Sequence, residues 1–186
     1  AYELFVHPDD AVNLFRALVD LGATPCGLAA RDSLRIEAGL PLYGQELAGP
    51  LNLRPGDAGF DNYVKAWKPF FVGRAAYLAH EANRDAEVVR FRLDNKGTRP
   101  PHQGDPLVDR RGRVVGVVTS CSIDSEGYQL GQAYLKQDFS MEGTALGVFP
   151  GSERIKPFTP GGAEPGARLA VPEPVTVLSR FPRRKK

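Results

Sequence analysis

The segment PLVDRRGRVVGVVTS, residues 106–120, decides the fold. Pro106, Leu107 and Val108 form a short apolar run. Asp109, Arg110, Arg111 and Gly112 supply the turn, because aspartate bonds nearby backbone and glycine takes positive φ without penalty. Residues 113–120 then carry four valines, the β-branched type that suits a pleated, half-buried surface. Two such runs around one turn predict a β-hairpin.

Moving outward, the same texture continues. Residues 86–93 alternate through Val89, Phe91 and Leu93, the period of a strand with one buried face. Further strand-like runs fall at 129–135, 144–149, 169–171 and 175–179. Short strands separated by turn residues predict a small barrel or sandwich. The Gly- and Pro-rich stretch 156–167 reads as a long loop.

Toward the N-terminus the pattern mixes. Residues 2–6 read as a strand. Pro8, Asp9 and Asp10 then suit the first turn of a helix, where proline is tolerated and acids meet the positive end of the dipole. Val12, Leu14, Phe15, Leu18 and Val19 follow at helical spacing, and Gly22 fits the stop. A second helix is expected over 28–38, ending at Gly39, with Ala30, Leu34 and Ala38 on one stripe and Ile36 beside it. Residues 48–62 read as a connection, with a strand or turn near 60–65 and a short helix at 74–83. The predicted class is α+β, with the end of an α+β region at 1–47, a connector at 48–84, an antiparallel β-barrel at 85–182 and a basic tail at 183–186. The opening at Ala1, already inside a strand-like run, leads us to expect a piece of a longer protein.

Composition narrows the function. The 186 residues are 42% hydrophobic and 25% charged, an ordinary globular balance. A net charge of +2 gives no reason to expect nucleic acid. No apolar run approaches the ~18 residues of a membrane span. The charge is uneven: residues 1–50 hold three basic and seven acidic side chains, and Arg183, Arg184, Lys185 and Lys186 close the chain as a solvated end. Cys26 and Cys121 lack metal-ligand spacing and read as buried small hydrophobes in a reducing, cytoplasmic setting. His7, His80 and His102 are scattered and read as surface residues. Trp67, Phe70 and Phe71 read as core. No nucleophile–base pair, phosphate loop or metal set stands out, so no catalytic residue and no metal is assigned.

One segment asks a sharper question. ARDSLRIEAGLPLYGQEL (29–46) puts Arg31, Asp32, Arg35 and Glu37 on one short helix and Tyr43 just beyond it. Such spacing alone reads as an ion-pair face. With its flank, CGLAARDSLRIEAGLPLYGQEL (26–47) resembles the signature segment of the glycine-cleavage T-protein family, the tetrahydrofolate-dependent aminomethyltransferases. YELFV (2–6), KPFFVGRAAYL (68–78), GDPLVDRRGRVVGVVTSC (104–121) and EGTALGV (142–148) resemble further segments of that family, in order. The resemblance is to the second half of a protein about twice as long.

The resemblance implies the end of a ferredoxin-like folate-binding α+β region followed by the C-terminal barrel. It implies a tetrahydrofolate-dependent one-carbon transferase, for aminomethyl or methyl groups, with this portion inactive alone. It also implies folate as ligand, the N-terminal half as partner and a lipoyl carrier protein as donor. By resemblance Arg31 points into the folate cleft and Tyr43 supplies a wall, while Arg35, Asp32 and Glu37 stay structural. Where the family often carries Gly-x-x-Trp, this chain has GFDNYV (59–64), so Asn62 or Tyr63 replaces a pocket aromatic, and Tyr63 is taken as the third cofactor-binding candidate. Two departures point to a divergent branch: TSCSIDSEGYQLGQAYL (119–135) lacks the family's Ser-Pro after the hairpin, and 150–168 is long. The alternatives are a sulfur or oxygen demethylase branch, or a non-catalytic folate-binding scaffold of the tRNA-modification or iron–sulfur assembly type, whose Lys-Gly-Cys motif is replaced here by LPLYGQE (40–46).

Overall fold

A computed structural model describes residues 2–151 and 171–182. The expected loop at 156–167 and the tail at 183–186 lie outside the described residues, as does the expected strand at 169–171 except for Val171, which is not in a strand. The chain forms two compact units, Ala1–Arg31 and Asp32–Lys186.

The first unit holds helix α1, Pro8–Asp20. The ring of His7 accepts from the Asp9 amide at the start of α1. At its end, Gly22 donates to the Val19 carbonyl and Ala23 to that of Leu18, so two of the last carbonyls are satisfied by a glycine-centred cap. Helix α2, Leu28–Glu37, follows and runs on into the second unit. It ends the same way: Gly39 donates to Ile36 and Leu40 to Arg35. Gly39 has φ +73°, and a Cβ there would lie 2.3 Å from the Arg180 carbonyl oxygen, so glycine is required twice over. Residues 2–6, expected as a strand, have no strand structure. A strand needs a ladder partner for its amides and carbonyls, and none pairs with them among the described residues.

The second unit is built on a closed, wholly antiparallel barrel. Its strands are β1 (Ala86–Leu93), β2 (Pro106–Val108), β3 (Val114–Ile123), β4 (Gln129–Lys136), β5 (Ala145–Val148) and β6 (Glu173–Leu178). Around the barrel the order is β1-β4-β3-β2-β5-β6, with β6 pairing back to β1. The expected barrel and its β2–β3 hairpin are present. The hairpin turn is fixed by Asp109, whose backbone amide bonds Arg113 and whose carboxylate takes the Arg111 and Arg113 amides. Val89, Phe91, Leu93, Leu107, Val118, Leu135, Val148, Val175 and Val177 fill the interior.

Outward positions of β1 and β4 are also covered. Val88 packs with Leu53 and Ala58 of the connecting segment. Arg90 donates to the Glu37 and Ser179 carbonyls, which ties the end of α2 to β1. Helix α3, Arg74–Glu81, precedes the barrel, and the region expected as a strand or turn near 60–65 is a short 3-10 turn at Asp61–Tyr63.

Candidate functional site

The most concentrated polar chemistry lies where the segment after α2 meets β3. Glu46 is fully buried. One of its oxygens accepts from Arg35 Nη1 at 2.7 Å and from the Leu42 amide at 3.0 Å. The other accepts from Thr119 Oγ1 at 2.6 Å and Ser120 Oγ at 2.5 Å. Arg35 is also buried, and its remaining donors reach Asp32 Oδ1 at 2.6 Å and Gln45 Oε1 at 2.7 Å. A buried ion pair holds only when its other donors and acceptors are met, and here they are. Removing Glu46 would leave Asp32 as the one carboxylate on the buried guanidinium and the hydroxyls of Thr119 and Ser120 without their shared acceptor. Arg35 and Asp32 therefore have the structural role expected of them.

A second layer lies beside it. Gln132 on β4 donates to the Leu40 carbonyl and accepts from Arg180 Nη1 at 2.9 Å. Arg180 also donates to the Ala58 carbonyl, and its third nitrogen, Nη2, is buried without a partner. Burial pushes the Arg180 guanidinium down to about 10, partly offset by the nearby Glu46 charge. Its planar group also lies over the Phe181 ring at 4.9 Å.

A third cluster surrounds α3. Asp57 accepts from the Arg54 amide and from His80 Nε2 at 2.8 Å, while Arg54 donates to His80 Nδ1. That contact leaves Nδ1 as the acceptor and Nε2 as the N–H. His80, expected at the surface, is thus half-buried and engaged on both nitrogens, because α3 turns this face onto the 54–57 segment.

The three residues expected to bind a cofactor stand in a different environment. Arg31 is exposed, and its guanidinium has no hydrogen-bond or ion-pair partner among the described residues. Tyr43 is 81% and Tyr63 78% exposed. Tyr63 leans on Phe60 with ring centroids 5.6 Å apart. A free guanidinium can fork onto a carboxylate, and exposed phenol rings can stack on a flat heterocycle.

Two expectations are corrected. Trp67 and Phe70, read as core, are exposed, as nothing among the described residues covers the turn that carries them. Cys26, read as buried, is exposed, whereas Cys121 is half-buried and burial pushes its thiol up to about 12. Among the described residues no cluster of His, Cys, Asp or Glu could hold a metal ion. Among the described residues no helix is long and apolar enough to cross a membrane. Glu46, Thr119, Ser120, Gln132 and Arg180 were not singled out from the sequence. Their signal is faint: Thr119 and Ser120 end the valine run of β3, and Glu46 is the one acid in an otherwise uncharged loop.

The profile of the GCVT N-terminal domain matches residues 1–68. An aminomethyltransferase of Saccharopolyspora erythraea is 40% identical over 154 residues, 79% of this chain and 41% of that protein. One from Streptomyces coelicolor is 39% identical over 180 residues, 92% of this chain and 45% of that protein. The chain matches the glycine-cleavage T-protein family over most of its length. Its fold agrees with that of a family member of known structure, glycine cleavage system aminomethyltransferase T from Bartonella henselae, at a TM-score of 0.69 and 26% identity over 90% of this chain and 43% of that one. The chain spans about two-fifths of the length of the T-protein relatives it matches.

Proposed function

We propose that this chain is the C-terminal portion of a tetrahydrofolate-dependent one-carbon transferase of the glycine-cleavage type. The observation that carries this reading is the identity shared with named aminomethyltransferases over most of the chain. Residues 1–47 are assigned to the end of the folate-binding region, 48–84 to a connector and 85–182 to the barrel domain. The setting is cytoplasmic.

Within this reading the chain contributes binding and orientation. When bound, tetrahydrofolate supplies the nitrogen that accepts the one-carbon unit. Arg31 offers a guanidinium fork to the carboxylate or carbonyl groups of the cofactor tail. Tyr43 and Tyr63 offer flat, partly apolar walls. Holding two reactants in register removes much of the entropic barrier, so such residues act on rate without exchanging a proton.

The surface of the first unit supports a further partner. No residue of α1 is buried, and Val12, Phe15 and Leu18 are exposed along it. Helices of this length draw their stability from covering an apolar face. We assign that cover to the N-terminal half of the polypeptide, since the relatives are about twice as long. A lipoyl carrier protein would bring the aminomethyl group.

The test is a calorimetric titration of the complete protein with tetrahydrofolate. Arg31→Ala should weaken binding by about 1–3 kcal/mol, the cost of losing a charge-assisted contact. An unchanged affinity would discard Arg31 as a cofactor ligand.

A further inference from the structure

We propose, building on the folate reading above, that Glu46 is the positioning residue for Tyr43. The loop that carries Tyr43 is closed by its own backbone. The amides of Gln45, Glu46 and Leu47 all reach the Leu42 carbonyl, and Gly44 donates to Leu47. Those bonds shape the loop but do not fasten it to the barrel. The Glu46 side chain does both: it folds back onto the Leu42 amide and reaches across to Thr119 and Ser120 on β3.

The strand is shaped for this contact. Consecutive residues of a regular strand point to opposite faces. In β3 the register against β4 breaks between Val118 and Ser120, leaving Thr119 as an extra residue. A bulge of this kind re-aims side chains. Here both hydroxyls meet one oxygen of Glu46. Arg35 and the Leu42 amide can only donate, whereas the two hydroxyls can donate or accept, so an amide at position 46 would lose chiefly the acid's pairing with the Arg35 guanidinium.

Tyr43 itself has an exposed side chain with no hydrogen-bond partner among the described residues. Its place is therefore set by the backbone of residues 42–47, which Glu46 fastens to β3 while Leu47 packs on Leu53, Ala58 and Val88. A folate-contacting ring on an untethered loop would have to be ordered at each binding event, which weakens affinity.

A double-mutant cycle on the complete protein tests this. Tetrahydrofolate affinity is measured by calorimetry for wild type, Glu46→Gln, Tyr43→Ala and the double variant, at a temperature where all are folded. Glu46→Gln should weaken binding about tenfold in the Tyr43 background and have little effect in the Tyr43→Ala background, a coupling typical of residues acting as one unit. A purely structural role predicts equal losses in both backgrounds, and that result, or no loss at all, overturns the proposal. If Glu46→Gln does not fold, Thr119→Val and Ser120→Ala, each removing one donor to the same oxygen, replace it in the cycle. If Tyr43→Ala binds folate normally, the folate reading of Tyr43 fails, and positioning is judged separately. Fluorine NMR of 3-fluorotyrosine-labelled protein should then give one sharp Tyr43 line that broadens or splits in the Glu46 or hydroxyl variant. An unchanged line overturns the proposal.

Discussion

At the scale of single residues, the two cysteines separate cleanly. The attacking species in alkylation is the thiolate. Burial pushes the Cys121 thiol up to about 12, so at pH 8 only about one molecule in ten thousand carries it ionised, since each pH unit below the pKa is a factor of ten. Cys26 is exposed. Iodoacetamide at pH 8 should therefore add one group per folded chain, at Cys26, as read by peptide mass spectrometry. Equal labelling of both would show that β3 opens far more readily than its packing implies. The two thiols looked alike in the sequence, each among small or apolar neighbours. Local neighbours do not determine burial; Cys121 lies on a barrel strand and Cys26 in the link before α2.

At the scale of elements, the barrel was legible because its strands carry their own signals. The alternation of Val89, Phe91 and Leu93 reports the inward face of β1, and the Asp109–Gly112 turn sets the β2–β3 hairpin. What the sequence hid is the bulge at Thr119 and the partners across the barrel wall, because both depend on which strands become neighbours. The strand expected at 2–6 failed for a related reason: composition favours extended backbone there, but pairing comes from elsewhere in the fold. Arg35 was legible as structural from its spacing to Asp32, whereas its bond to Glu46 crosses a loop and left no periodic trace.

Packing between neighbouring strands makes a sharper prediction at this scale. Gly131 on β4 faces Phe91 of β1 across a ladder pair. A Cβ on Gly131 would lie 2.4 Å from Phe91 Cζ and 2.7 Å from the Ser120 carbonyl oxygen. The ring can shift only into a filled core, and the carbonyl belongs to the neighbouring strand. Gly131→Ala should thus destabilise the chain by about 1–3 kcal/mol, the range for overpacking a well-filled interior. Gly27→Ala, with open space around the added methyl, serves as the control. Equal denaturation midpoints for the two variants would contradict the packing described for β4.

At the scale of the whole molecule, catalytic competence turns on where a free acid could stand. An acid that hands a proton to a folate nitrogen needs an uncommitted oxygen within reach of the substrate. In the described barrel unit the buried carboxylates near the 42–47 loop are spent. Glu46 accepts four hydrogen bonds, and Asp57 is held by Arg54 and His80. Asp32, partly exposed, is engaged by Arg35. Each would have to break a buried contact to act, at a cost that opposes catalysis. The proposed function therefore places the reacting acids in the N-terminal half of the polypeptide and leaves this chain the tasks of holding and orienting the cofactor. The purified 186-residue chain, supplied with tetrahydrofolate and an aminomethyl-loaded lipoyl carrier protein, should form no methylenetetrahydrofolate above a protein-free control. Adding the N-terminal half as a separate polypeptide should restore transfer if the two associate through the apolar face of α1. Turnover by the 186-residue chain alone would mean that one of its own carboxylates is released in solution, and the division of labour proposed here would have to be abandoned.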